Sequence, residues 1–208
     1  MSDYNYKIYN FINPCLEKIK DIKILEFGVK EGRSTKLFLD LCKKNRGKVY
    51  SVDIDDYSKI FEDENWIFIK SRDDNFEFLD QQLPQKFDVI YLDSLHEAKH
   101  VEKIFYHYFS KLEIGGFFFI DDISWLPYLK KKKRNNFYCE INNQETFEKL
   151  LDIFSNNEDV FDLSFDFTSS GLCKIIKKKE ILNSSLKVKT RKFTFKNFLR
   201  KIKLLIKS

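Results

Sequence analysis

Three aspartates at the ends of two apolar runs are the residues in this sequence best placed to do chemistry. Asp93 closes Phe87-Asp88-Val89-Ile90-Tyr91-Leu92, and Asp121-Asp122 closes Phe117-Phe118-Phe119-Ile120, which follows Gly115-Gly116. Both runs read as buried strands, and open α/β sheets bind their ligands beyond the carboxyl ends of such strands. Carboxylates converging from adjacent strand ends repel one another and raise each other's pKa unless a cation joins them. A hard divalent ion with oxygen ligands, Mg2+ above all, relieves that repulsion and keeps positions open for water and a substrate. An Asp-Asp pair after a strand also reads as a turn and helix cap, so the metal reading competes with a structural one.

A second block has the form of a ligand-binding turn. Lys23 to Thr35 reads KILEFGVKEGRST: an apolar run ending in Glu26, two glycines four apart, then Ser34, Thr35 and a helical period. Gly28 lets the backbone leave the strand, and Gly32 lets a ligand or the sheet approach the start of the helix. That start offers N–H groups without helical partners. The spacing fits neither the dinucleotide fingerprint G-x-G-x-x-G nor the P-loop. Further on, Lys48 to Ile54 is a second buried strand finishing in Asp53, where a carboxylate suits the two hydroxyls of a ribose. Asp55 is the competing acid.

The form E-x-G-x-x-x-G-x-S-T resembles motif I of the class I S-adenosylmethionine (AdoMet) methyltransferases. Asp93-Ser94-Leu95-His96, with His100-Val101, Gly115-Gly116 and Asp121-Asp122, resembles the metal-dependent O-methyltransferases, nearest the cephalosporin hydroxylase-like and macrocin-type sugar enzymes. The likeness runs from Ile22 to Ile123. It implies an α/β, Rossmann-like fold with a mostly parallel seven-stranded sheet and a C-terminal antiparallel hairpin. It implies AdoMet over Gly28, Gly32 and Ser34, Glu26 near the methionine end, Asp53 on the ribose and Ser71 or Asp73 beside the adenine. Asp73 reads equally as an N-cap for a helix from Asn75 to Gln82. It implies Mg2+ on Asp93, Asp121 and Asp122, with Asp93 also bordering the cofactor. It places His96 as general base, a role suited to an imidazole near neutrality, although a capping or substrate-orienting role is open too. Leu95 departs from the acid or glycine usual there.

The elements that must position these residues follow from periodicity. Residues 4–20 read as one or two short helices packed on the sheet, and Lys36 to Lys44 as a helix with Leu37, Phe38 and Leu41 on one face. Trp66 to Lys70 is a third strand, Glu97 to Leu112 a long helix, and Thr146 to Phe154 another. Val160 to Thr168 and Leu172 to Lys177 flank Ser169-Ser170-Gly171 as a hairpin. His100 and His107 read as packing or surface residues. The basic run Lys130 to Arg134 either binds the phosphates of a substrate or the anionic surface that carries it, or is a solvated loop.

With 208 residues and 43% of them hydrophobic, the chain suffices for one well-buried domain. The absence of an 18-residue apolar stretch or a secretory signal, together with scattered Cys15, Cys42, Cys139 and Cys173, points to a cytoplasmic protein with reduced thiols. From Lys174 onward there are 13 Lys or Arg and one acid, so the preceding residues carry 24 basic and 31 acidic side chains. The division suggests a methyltransferase domain over residues 1–179 and a basic tail over 180–208. In the tail Phe195, Phe198, Leu199, Ile202, Leu205 and Ile206 share a helical face, with Lys196, Arg200, Lys201, Lys203 and Lys207 mostly around the other. Such a helix suits the anionic inner face of a membrane, or docks on the body or a partner. Nucleic acid is not expected, and an oligomer is open.

The function expected is therefore AdoMet-dependent, metal-assisted methylation of a hydroxyl on a sugar or related small molecule, in a surface-glycan or natural-product pathway. The rivals are metal-independent methylation of a nitrogen or phenol, and a catalytically silent AdoMet-binding module recruited to membranes by its tail.

Overall fold

The computed structural model describes residues 6–192 and 194–207. Seven strands, β1 (Lys23–Phe27), β2 (Lys48–Asp53), β3 (Trp66–Lys70), β4 (Phe87–Leu92), β5 (Leu112–Asp121), β6 (Phe161–Asp166) and β7 (Leu172–Lys177), form one sheet in the order β3-β2-β1-β4-β5-β7-β6. Strands β1 to β5 are parallel, and β7 runs antiparallel to both β5 and β6. The expected Rossmann-like sheet with its terminal hairpin is present.

The central strands are apolar throughout because both faces are covered. Leu25, Phe27, Ile90, Leu92 and Phe118 point to one side, under α3 (Phe76–Gln82), α4 (Ala98–Phe109) and α5 (Phe137–Phe154). Ile24, Val89, Tyr91 and Phe119 point to the other, under α2 (Arg33–Asn45) and the N-terminal segment. That segment is a π-helical turn, Ile8–Ile12, followed by α1 (Asn13–Leu16), and it buries Ile8, Ile12 and Leu16. Tyr4 and Asn5 lie outside the described residues. Strand order reverses between β2-β1 and β4, so a crevice opens at the carboxyl ends of β1 and β4.

Three boundaries differ from those expected. Helix α4 stops at Phe109, and β5 begins at Leu112 and takes in Gly115-Gly116, with a register shift opposite Phe87 and Val89. Within the strand Gly116 leaves no room for a side chain, since a Cβ there would sit 2.9 Å from the Asp88 carbonyl oxygen. Helix α5 starts nine residues earlier than its apolar period suggests, since Phe137 and Tyr138 in its first turn are exposed. Asn136 caps it, its Oδ1 accepting from the backbone N–H of Tyr138 at 3.1 Å and of Cys139 at 3.2 Å. Past Glu180 the chain stays on the body. Leu182 packs on the core, the Asn183 carbonyl accepts from Tyr106 at 2.8 Å, and Val188 N–H donates to Asp152 at 2.7 Å. A last helix, α6 (Phe195–Lys207), follows. Among the described residues no helix is long and apolar enough to cross a membrane, and the four cysteines are free thiols.

Buried Asn157 fastens this strap: its amide donates to the carbonyls of Ile153 at 2.7 Å and Asn183 at 3.1 Å, and its Oδ1 accepts from Asn183 N–H at 2.7 Å. Asn157→Ala leaves those groups unpaired, so urea unfolding should show a loss of about 2 kcal/mol. Limited proteolysis should cut the strap faster than in the parent.

Candidate active site

The crevice is shaped by a buried carboxylate. Glu26, at the end of β1, is fully buried, and its oxygens accept from Ser34, from Thr35 at 2.7 Å and from Ser51 of β2 at 2.6 Å. Trp66 Nε1–H donates to Ser51 at 2.9 Å, extending the network to β3. Ser34 and Thr35 lie in the first turn of α2, so Glu26 ties the start of that helix to two strand ends. The intervening chain is forced into a tight loop in which Gly28, Lys30 and Gly32 have φ of 93°, 49° and 68°. A Cβ on Gly28 would lie 2.1 Å from the Asp93 carbonyl oxygen, which is why the strand can leave the sheet there only as glycine. At Gly32 the close neighbour is the Phe61 ring, 2.7 Å from a Cβ, so protein and not a ligand fills that space. Glu26 and Ser34, expected on the cofactor, instead lie beneath the loop and hold it.

Two cavities meet at this loop. The first, about 520 Å³, is lined by Asp53, Tyr57, Ser71, Asp73 and His100. Asp53 Oδ2 accepts from the backbone N–H of Val29 at 2.7 Å and of Lys30 at 3.3 Å, and Oδ1 accepts from Asp55 N–H at 3.0 Å. A carboxylate oxygen has more than one acceptor site, so Asp53 retains capacity for hydroxyls. Asp73 is not the helix cap; Asn75 is in that place, and Asp73 Oδ2 meets Ser94 Oγ and His100 Nε2, the latter at 2.8 Å. His100, read from sequence as packing or surface, thus belongs to the cavity wall. His107 does pack, stacked on Phe76 at 3.8 Å between ring centroids.

The second cavity, about 540 Å³, is lined by Lys7, Arg33, His96, Asp121, Asp122 and Ser170, and shares Gly28, Lys30, Asp93 and Ser94 with the first. The three aspartates do converge here, but two basic side chains stand among them. Lys7 donates to Asp121 Oδ1 and, at 2.9 Å, to Ser170 Oγ, while Tyr91 OH donates to Asp121 Oδ2 at 2.7 Å. Both oxygens of Asp121 are engaged. His96 Nε2 lies 3.4 Å from Asp93 Oδ1 and 3.4 Å from Asp122 Oδ2. Among the described residues, the donor atoms grouped within 4.8 Å of one another are those of Asp93, His96 and Asp122, while Asp121, expected with them, is engaged by Lys7 and Tyr91. Asp122 has φ of 58°, a conformation unfavourable for a side-chain-bearing residue and frequent at functional sites.

The electrostatics follow from this crowding. Burial and then the Asp121 charge push Asp93 up to about 6, against the hydrogen bond from His96. Burial disfavours the His96 imidazolium, but the Asp93 hydrogen bond and the Asp122 charge outweigh it and raise His96 to about 9. Burial likewise works against the Lys7 ammonium, and Asp121 overcomes it. Three carboxylates thus face two cations. Lys7, Tyr91 and Ser170 carried no signal in the sequence; Lys7 and Asp121 are 114 residues apart and meet only through the fold.

A family model described as a methyltransferase domain matches residues 25–123, the stretch that holds the loop, the aspartates and the lining of both cavities apart from Lys7 and Ser170. Residues 25–123 thus match a methyltransferase domain, and they do so on the Rossmann-like sheet described above. Among solved structures it is similar to MycE methyltransferase of the mycinamycin biosynthetic pathway in complex with Mg and SAH. That likeness has 21% identity and a TM-score of 0.60, over 86% of this chain and 53% of that one. SAH-bound PaMTH1 of Podospora anserina is similar at 14% identity and a TM-score of 0.59, over 76% and 72%. The O-methyltransferase of Bacillus cereus in complex with SAH is similar at 15% identity and a TM-score of 0.56, over 75% and 74%. The chain spans about half the length of the MycE chains. No curated protein matches it.

Burial raises Glu26 from 4.5 to about 7, partly offset by the hydroxyl donors Ser34, Ser51 and Thr35. Between those values the folded protein holds a proton that the unfolded chain has released, so stability falls as pH rises through the window. The full effect is on the order of 3 kcal/mol. Glu26→Gln has no such proton, and urea unfolding at about pH 5 and about pH 8 should show a shallower decline than in the parent.

Proposed function

We propose that this domain transfers a methyl group from AdoMet to a hydroxyl of a sugar or related small molecule. The observation that carries the reading is the shared edge of the two cavities: Gly28, Lys30, Asp93 and Ser94 line both, so a donor in one and an acceptor in the other would meet there. Bound AdoMet supplies a methyl already activated by its sulfonium. Asp53 is the residue for the ribose hydroxyls, and Ser71, Asp73 and Tyr57 border the adenosine end of the first cavity. Holding the two reactants in line is the main contribution such a site makes.

The carboxylates of Asp93 and Asp122 fit a divalent cation in the second cavity, with His96 beside them, and Asp121 could join them once Lys7 withdrew. Such an ion would lower the pKa of an acceptor hydroxyl and orient it. Were Asp93 and Asp122 to hold such an ion, His96 would lose the partners that keep a proton on it, and its Nε2, left off the ion, would be able to accept the hydroxyl proton. The wall near Ser170 continues into the basic run, since Arg134 Nη1 reaches Ser169 Oγ at 3.4 Å. Lys30 and that run, with Arg33 paired to Glu31, give the acceptor side a basic rim, suited to a phosphate on the acceptor.

A second, metal-independent reading draws on Lys7, which already brings a cation to Asp121. The two readings separate in a methylation assay with hydroxylated sugar acceptors. The metal-assisted reading expects EDTA to abolish turnover and Mg2+ to restore it, whereas unaffected turnover selects the Lys7 reading. His96→Gln should lower kcat by about 100-fold or more with AdoMet affinity unchanged.

A further inference from the structure

The last helix presents an apolar stripe to solvent. Phe195, Phe198, Leu199, Ile202 and Ile206 are 73%, 58%, 44%, 37% and 79% exposed. Spacings of three and four residues place them on one side of the helix. The helix is set up locally, with Asn197 N–H donating to the Thr194 carbonyl at 3.0 Å. Its remaining positions are largely Lys and Arg, and residues 181–208 contain nine basic side chains and no acid.

We propose that this helix lies in the headgroup layer of an anionic lipid surface and holds the domain there. Charge complementarity selects this occupant: an apolar stripe whose charged neighbours on the helix are all cations matches a surface that is apolar below and negative above. The 13 residues of the helix extend about 20 Å, too short for a bilayer core of about 30 Å, so it lies on the surface and does not cross. Pairing with the same helix of a second copy would set cations against cations, with no acid on either to relieve them. The strap over residues 182–188 fastens the body a few residues before the helix, so docking the helix places the domain at the membrane.

The test is co-sedimentation of the full chain with vesicles of phosphatidylcholine, and of phosphatidylcholine mixed with phosphatidylglycerol. The chain should pellet with the anionic vesicles only, and less at high salt. The pairs Phe198→Asp with Ile202→Asp, and Arg200→Glu with Lys203→Glu, should each lower partitioning about tenfold or more while thermal unfolding of the body stays unchanged. Equal pelleting with neutral vesicles, or partitioning untouched by both variant pairs, overturns the proposal. So does a vesicle-free dimer that the Phe198 and Ile202 changes split, or tight binding to single-stranded RNA with none to vesicles.

Discussion

The structure depends on one buried carboxylate. Glu26 has lost all contact with water, and three hydroxyls from two elements compensate it. Because Ser34 and Thr35 lie at the start of α2 and Ser51 in β2, satisfying Glu26 fixes the distance between the end of β1 and the helix. The loop has no freedom left. It must turn through positive φ at Gly28 and Gly32, and the backbone of Asp93, just past β4, passes against Gly28 where a side chain would sit. The same turn aims the N–H groups of Val29 and Lys30 at Asp53, so the first cavity is organised by groups that a ligand need not order.

Charge is the second constraint. Parallel strands bring Asp93, Asp121 and Asp122 to one rim by topology alone, and such a rim is unstable without positive charge. The fold provides it from two directions: His96 from the turn after β4, and Lys7 from the N-terminal segment packed on the opposite face of the sheet. The N-terminal segment is thus an electrostatic part of the site as well as a cover for Ile24, Val89 and Phe119.

Much of this was legible in the sequence, for physical reasons that also mark where reading stops. Apolar runs ending in Glu26, Asp53, Asp93 and Asp121 located the sheet edge that binds ligands, because buried parallel strands must be apolar until they emerge. Residue type, however, does not give direction: Glu26 and Ser34 were expected on the cofactor and lie buried beneath the Gly28 loop, while His100 was expected in packing or at the surface and lines a cavity. The start of β5 was hidden because Leu112 continues the apolar period of α4, and glycines inside a strand look like a turn. The start of α5 was hidden because Phe137 and Tyr138 are exposed, so the amphipathic pattern fails there. Lys7 was out of reach, since nothing local marks a lysine whose partner arrives from a distant strand.

The central claim is that the Gly28 turn, pressed against the backbone of Asp93, forms the common wall of a donor cavity and an acceptor cavity. The most direct measurement is calorimetric titration of AdoMet into the wild-type chain and into Gly28→Ala, with thermal unfolding as the check that both are folded. A Cβ 2.1 Å from the Asp93 carbonyl oxygen must push that wall aside. The account predicts saturable binding to the wild type and an affinity weakened roughly tenfold or more in the folded variant. Equal affinities, or no AdoMet binding to the folded wild type, would contradict it.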